Sequence, residues 1–281
     1  VTEILRYAAF TESPDGGNPA GVVLDAGDTE PATMQAIAAD VGYSETAFLL
    51  PGPDPREREV RYFSPLAEVP FCGHATIATA VAHAERHGPG QLVLHTRSGV
   101  VRVSTAIESD RPVATLVSVA PRVEPVTAAD LDEALAALRW VTGELDPALP
   151  PRVAYAGASH LVVVAATRQR LARLDYDYDR LGALMALRGW TTVQLVHRSG
   201  PLTFDSRNPF PPGGVYEDPA TGAAAAAFGA YLADIGAVDP PARVTIEQGV
   251  DMGRPSALVV DIPADPTTGI GVSGTAVRIR A

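Results

Sequence analysis

The sequence predicts an α+β chain of two similar lobes, each wrapped on a single buried helix. Three observations lead there. Glu217-Asp218-Pro219-Ala220-Thr221-Gly222 opens onto Ala223 to Leu232, a segment small or apolar on every side, and a helix apolar all round is one surrounded by protein. Pro219 has the fixed φ that suits a first helical turn. Pro70-Phe71-Cys72-Gly73-His74-Ala75-Thr76 opens in the same way onto Ile77 to Ala82, with no charge until Glu85. Around both segments lie short runs bounded by turn-forming residues, which read as strands. The recurrence of Ala-Thr, at Ala75-Thr76 and Ala220-Thr221, marks a weak internal duplication, with both helix N-termini expected to face a shared cleft. Such termini carry unpaired N–H groups and partial positive charge, so they can receive a carboxylate.

Residues 3–10 and 20–25 read as strands separated by Thr11 to Pro19, a cluster of turn formers. The glycines there are not followed by the lysine and hydroxyl of a phosphate loop, and a tight turn accounts for them. Met34, Ile37, Ala38 and Val41 have helical spacing over 31–41, with Gly42 where a C-cap belongs. Ser44 to Leu50 then runs extended, and Glu45 stands between two hydroxyl residues at the mouth of this apolar strand. By residue type alone such a Glu is a solvated strand end. Pro51 to Glu59 is a charged, proline-rich hairpin or loop, and Val60 to Phe63 resumes a strand. His83 and His87 sit one turn apart at the exit of the first buried helix. With no third ligand and no HExxH motif, a solvated helix end is expected there and no metal site.

Strands follow at 91–96, 99–106 and 112–119, joined by turns at Ser98-Gly99 and Ser109 to Pro112. Pro121 to Pro125, with two prolines, charge and no periodicity, is the expected junction between lobes. Thr127 is expected to cap a helix ending near Trp140, with Asp130 well placed in its first turn. Residues 153–156 and 161–165 read as strands, 178–187 as a helix, and 192–196 and 202–206 as strands. His160 reads as a strand-end histidine bonded to backbone. Beyond the second buried helix come strands at 243–248, 256–262 and 270–280. Gly269 to Gly274 matches a dinucleotide-binding pattern by letters only, because an alternating strand follows it where a helix is needed.

The chain has 281 residues, 46% of them hydrophobic, enough for two lobes with their own cores. No apolar run reaches membrane-spanning length and the N-terminal stretch lacks a basic-then-apolar leader pattern, so a soluble cytoplasmic protein without a membrane partner is expected. A formal net charge of −11 leaves no electrostatic footprint for nucleic acid. The single cysteine, Cys72, excludes an internal disulfide and any multi-thiolate metal site.

Asn18-Pro19-Ala20-Gly21-Val22, Ser44-Glu45-Thr46-Ala47-Phe48, Arg61-Tyr62-Phe63-Ser64-Pro65, Phe71 to Thr76, Ser206-Arg207, Glu217 to Gly222 and Met252-Gly253-Arg254-Pro255-Ser256 together resemble the motifs, in order, of the PhzF family of phenazine-biosynthesis-type isomerases. They span nearly the whole chain. The resemblance implies the two-lobed fold shared with diaminopimelate epimerase, each lobe a curved, mostly antiparallel sheet or barrel around its central helix, with a cleft between them. The corresponding bounds are 1–120, 121–265, and a final strand, 266–281, returning to the first lobe. A homodimer and the absence of any cofactor are likewise implied.

By the same resemblance, Glu45 is the general acid/base, which takes a proton from one carbon of a cyclic dienyl amino acid like trans-2,3-dihydro-3-hydroxyanthranilate and returns it to another. Such a group works best with a pKa near neutrality, and desolvation moves a carboxylate in that direction. His74 and Asp218 are its implied catalytic partners, Asp218 holding a substrate amine or sharing a proton with the imidazole. Ser44, Gly73, Gly222 and Ala223 are the implied substrate-binding positions, the backbone N–H groups of Gly73, His74, Gly222 and Ala223 receiving the carboxylate. Taken as isolated residues, Asp218 is an ordinary helix-start acid and His74 an ordinary cap. The sequence departs from the family at Ala223, where family members commonly place Ser, and this predicts altered substrate recognition. Two other readings remain: an epimerase or racemase in which Cys72 works with Glu45 or Asp218 as second base, and a non-catalytic homologue that binds small molecules.

Overall fold

In this computed structural model residues 3–280 are described; residues 1, 2 and 281, which fall within the sequence-based bounds, lie outside them. The chain divides into two compact units, one running to Val117 and resuming at Ser273, the other Ser118–Val272. The sequence bounds stand at 120 and 265.

The first unit starts with β1 (Leu5–Ala9) and β2 (Asn18–Val23), antiparallel neighbours. Helix α1 (Pro31–Val41) has its proline at the first position and Gly42 left-handed at φ 72 as its C-cap, donating to Ala38 O. Met34 and Ala38 of α1 pack on Phe48, Phe63 and Val23, burying the helix's apolar face. Next come β3 (Glu45–Asp54) and β4 (Glu57–Phe63), one antiparallel hairpin. The proline-rich stretch read as hairpin or loop is therefore mostly strand, Pro51 and Pro53 lying where β3 and β4 leave regular register between Leu50 and Asp54 and Pro55 in the turn between the strands. Short β5 (Glu68–Val69) leads to α2 (Gly73–His87), which is buried continuously from His74 to Ala84. Ala, Thr and Val on all its faces let the backbones of β1, β2 and β3 come close. Strands β6 (Gly90–Thr96), β7 (Gly99–Glu108) and β8 (Arg111–Val117) form an antiparallel meander, and Ser109 and Asp110 take the two positive φ angles of its tight turn.

His83 is not the solvated residue the sequence suggested. It is 4% exposed, its ring lies 4.5 Å from that of His87, and Nε2 meets the Pro55 carbonyl at 3.2 Å. Burial, then the neighbouring His87, pulls its pKa below the usual histidine value.

In the second unit the expected junction proves to be a strand: β9 (Arg122–Pro125) pairs with β10 (Arg152–Tyr155). An edge tolerates its terminal proline because no ladder N–H is needed there. Between them α3 (Ala128–Leu138) is capped as expected, Thr127 Oγ1 accepting from the Asp130 N–H at 3.1 Å. β11 (Ser159–Val164), α4 (Arg168–Ala172), α5 (Tyr178–Arg188) and β12 (Thr192–Arg198) follow, with β11 and β12 parallel. Leu138, Trp140, Leu161, Val163, Leu181, Met185 and Trp190 form the core under the helices. β13 (Thr203–Phe210) pairs with β14 (Val215–Asp218), and α6 (Gly222–Asp234) is buried from Ala224 to Leu232. Pro219 thus precedes α6 instead of opening it: Asp218 ends a strand, and Thr221 is the residue before the helix. Phe228 of α6 meets Phe204 edge-on at 4.9 Å and stacks on Tyr231 at 5.5 Å, contacts worth about 0.5–1.5 kcal/mol each beyond area burial. β15 (Ala242–Gln248) and β16 (Ser256–Ile262) are antiparallel. Last, the chain resumes the first unit at Ser273, within β17 (Gly271–Arg278), whose residues Ala276 to Arg278 pair with β1. Among the described residues no helix is long and apolar enough to cross a membrane.

Candidate active site

In the first unit three backbone segments deliver side chains to one point. Glu45 is the first residue of β3, in register with Ala20 of the parallel β2, and Asn18 begins β2. Cys72 is the N-cap of α2 and His74 its second residue. The Cys72 thiol donates to Glu45 Oε2 at 3.4 Å. His74 Nε2 lies 3.4 Å from the same oxygen and 3.3 Å from Ser44 Oγ. Its other nitrogen, Nδ1, meets the Asn18 amide nitrogen at 3.2 Å and Cys72 Sγ at 3.4 Å. An Asn18 amide that donates to Nδ1 leaves the imidazole proton on Nε2, facing the carboxylate. The Glu45 side chain is 19% exposed and that of His74 8%. Glu45 is therefore not the solvated strand end its residue type alone suggests.

The first turn of α2 is itself pinned. Thr76 Oγ1 donates to the Cys72 carbonyl at 2.7 Å, so at its 2.7 Å contact with Tyr62 the phenol must be the donor. Burial holds the Tyr62 pKa well above the usual tyrosine range, keeping that donor protonated. The first intrahelical bond runs from the Thr76 N–H to the Cys72 carbonyl, which leaves the N–H groups of Gly73, His74 and Ala75 without helical acceptors.

The second unit holds the other predicted residues. Asp218 Oδ2 accepts from the Thr221 hydroxyl at 2.5 Å. Gln248, at the end of β15, donates to the Asp218 carbonyl at 2.7 Å and to Thr221 Oγ1 at 3.0 Å, and accepts from the Thr221 N–H at 3.1 Å. Gly222 and Ala223 are the first two residues of α6, whose first intrahelical bond begins at the Ala225 N–H. Ala223 adds only a methyl group to that turn. The buried His160 meets the Thr192 hydroxyl at 2.8 Å instead of backbone, while its Nε2 has no partner. Burial lowers its pKa to about 3, so it is a neutral core residue.

The structure thus gathers Glu45, His74, Ser44 and Gly73 in one unit, and Asp218, Gly222 and Ala223 in the other. Sequence reasoning left out Asn18 and Gln248 as positioning groups and Cys72 as a direct neighbour of both Glu45 and His74. For Cys72 and His74 the i, i+2 spacing at a helix start was a usable signal; for Gln248, far along the chain, there was none.

A carboxylate held against an imidazole and a thiol at a helix start, in a mixed α+β chain, is equipment for moving protons. The family model described as phenazine biosynthesis-like protein, PhzC-PhzF, matches residues 7–281. The chain belongs to this family and is an isomerase. It is 33% identical over 286 residues to the uncharacterized isomerase YddE of Escherichia coli (strain K12), covering 98% of this chain and 95% of that protein. To the trans-2,3-dihydro-3-hydroxyanthranilate isomerase of Pseudomonas chlororaphis it is 32% identical over 280 residues, with 96% and 94% covered. The crystal structure of the Bacillus anthracis phenazine biosynthesis protein of the PhzF family superposes with a TM-score of 0.88 at 25% identity, covering 99% of this chain and 98% of that one.

Proposed function

We propose that the protein is a cofactor-independent isomerase in which Glu45 carries a proton between two carbons of a small amino-acid or carboxylate substrate resembling trans-2,3-dihydro-3-hydroxyanthranilate. The observation that carries this is the sequestered Glu45 carboxylate in contact with His74 Nε2 and Cys72 Sγ. Glu45 takes the proton from a C–H bond, whose electron pair moves into the adjacent unsaturated system. The same carboxyl group, still partly open to water, exchanges that proton with solvent and delivers a proton to a second carbon, and the double bonds shift. His74, fixed by Asn18 and Ser44, keeps the carboxylate oriented. Helix N-terminal N–H groups at Gly73 and His74, and at Gly222 and Ala223, stabilise the substrate carboxylate and the enolate-like charge that develops. Asp218, held by Thr221, binds the substrate amine. A homodimer in the cytoplasm belongs to the same reading.

The loss of a hydroxyl at Ala223 points to a substrate other than the one named for the Pseudomonas relative, or to weaker binding of it. Epimerisation by Glu45 and Cys72 as paired bases is disfavoured on geometry. Two such bases must flank one carbon from opposite faces, each about 3–3.5 Å from it, whereas here they touch each other at 3.4 Å. The test is incubation of the protein in deuterium oxide with dihydro-hydroxyanthranilate and related amino acids, followed by absorbance and proton NMR. Double-bond migration with deuterium at the receiving carbon is expected. Exchange without net conversion would favour epimerisation, and no exchange with any candidate would favour a binding protein.

A further inference from the structure

We infer that Glu45, Cys72 and His74 form a site for a thiophilic divalent cation, zinc above all, whose binding blocks the isomerase. Binding needs only the geometry; the block rests on Glu45 being the proton carrier proposed above. Among the described residues these three bring their ligand-type atoms within 4.8 Å of one another. Glu45 Oε2 is 3.4 Å from Cys72 Sγ and 3.4 Å from His74 Nε2, and Sγ is 3.8 Å from Nε2. A tetrahedral zinc ion, with bonds of ~2.0–2.1 Å to N and O and ~2.3 Å to S, needs its ligand atoms about 3.3–3.6 Å apart. Glu45 Oε2 therefore stands at a ligating separation from both partners before any ion arrives, whereas Cys72 Sγ, 3.4 Å from Nδ1, must swing about its Cα–Cβ bond towards the Nε2 side to share the ion.

The donor chemistry selects the ion. One thiolate, one imidazole and one carboxylate suit zinc or cobalt, while magnesium and calcium require oxygen. A thiolate and a carboxylate with a neutral imidazole balance a charge of two, and the Cys72 proton leaves to solvent as the ion enters. Ligation through Nε2 also requires the Asn18 amide, which here presents its nitrogen to Nδ1, to turn over so that its oxygen accepts the Nδ1–H and frees Nε2. Cys72 and His74 are buried, while the Glu45 side chain keeps some exposure. That leaves a path in and a fourth position for water, as in zinc sites with three protein ligands. An ion so held occupies the carboxylate oxygen that would take the substrate proton.

The test uses the whole chain stripped of metal, titrated first with cobalt and then with zinc. Expected are one ion per chain, a thiolate-to-cobalt absorption band that zinc abolishes, and release of one proton. X-ray absorption on the zinc form should give one sulfur at about 2.3 Å with N/O neighbours at about 2.0–2.1 Å. Cys72→Ser should weaken binding by more than about tenfold, since removing even an outer partner commonly costs that much, whereas His87→Ala should leave it unchanged. A cobalt complex without a sulfur band, or one lost on His87→Ala and kept in Cys72→Ser, overturns the site. If metal-free protein exchanges substrate protons but binds no cobalt, this inference alone fails. If cobalt binds as described and metal-free protein exchanges nothing, the site stands and the role of Glu45 fails.

Discussion

Arg207 and Glu217 form a two-pronged ion pair, Nε to Oε1 at 2.9 Å and Nη2 to Oε2 at 2.6 Å, with both side chains almost out of solvent. Glu217 immediately precedes Asp218 on β14, and Arg207 also donates from Nη1 to the Ala172 carbonyl at 2.8 Å. The pair ties the strand carrying Asp218 to the end of α4. Arg207→Met, which leaves Glu217 buried without its partner, should destabilise the protein by about 3–5 kcal/mol. Arg207→Met with Glu217→Gln should recover part of that loss. Urea unfolding of the single and double variants checks both.

His160 makes stability depend on pH. Burial holds its folded pKa at about 3, against an unfolded value of about 6.5. Below pH 6.5 the unfolded chain binds a proton that the folded chain refuses, so the contribution is full above that pH and is lost as pH falls towards 3. The slope is at most about 1.4 kcal/mol per pH unit. Unfolding of His160→Asn followed at pH 7 and pH 5 should show a loss on acidification smaller than the wild type's by roughly 1–2 kcal/mol.

Gly229 sits inside α6, where alanine would ordinarily gain about 1 kcal/mol in helix propensity. A Cβ there would lie 2.7 Å from Val260 Cγ1 and 2.9 Å from Ile270 Cγ2. Overpacking of this kind costs about 1–3 kcal/mol. Gly229→Ala should lower the thermal unfolding midpoint despite the better propensity.

The two buried helices, the Thr127 cap and most strands were legible because small-residue runs, turn clusters and period-two alternation are local signals. The site was legible in part: Glu45 and His74 belong to short motifs, and α2 places His74 where a strand start can reach it. Less legible was what depends on distant partners. Nothing beside Gln248 in the chain says that it will hold Thr221 and Asp218. His83 looked solvated because its neighbours Glu85 and Arg86 are charged, yet the β3–β4 hairpin brings Pro55 over it. Pro121 to Pro125 read as a junction because it has two prolines, charge and no periodicity, and only the distant pairing with β10 reveals the strand there.

Cys72 touches the proposed base without being one in this account. Cys72→Ala should keep turnover within about tenfold of the wild type, since a buried thiol mostly packs as a small apolar group. Steady-state rates of the folded variant measure this, and a loss of the size expected for a missing base would assign Cys72 to the chemistry.

Glu45→Gln is the most direct examination of the central claim, because the amide keeps the shape and cannot accept a proton from carbon. Once a substrate is in hand, the measurement is deuterium transfer from solvent to the receiving carbon, compared between wild type and variant under saturating substrate. The account expects a fall in turnover of about 10²–10⁴-fold with substrate binding little changed. Deuterium transfer at the wild-type rate in Glu45→Gln would contradict it.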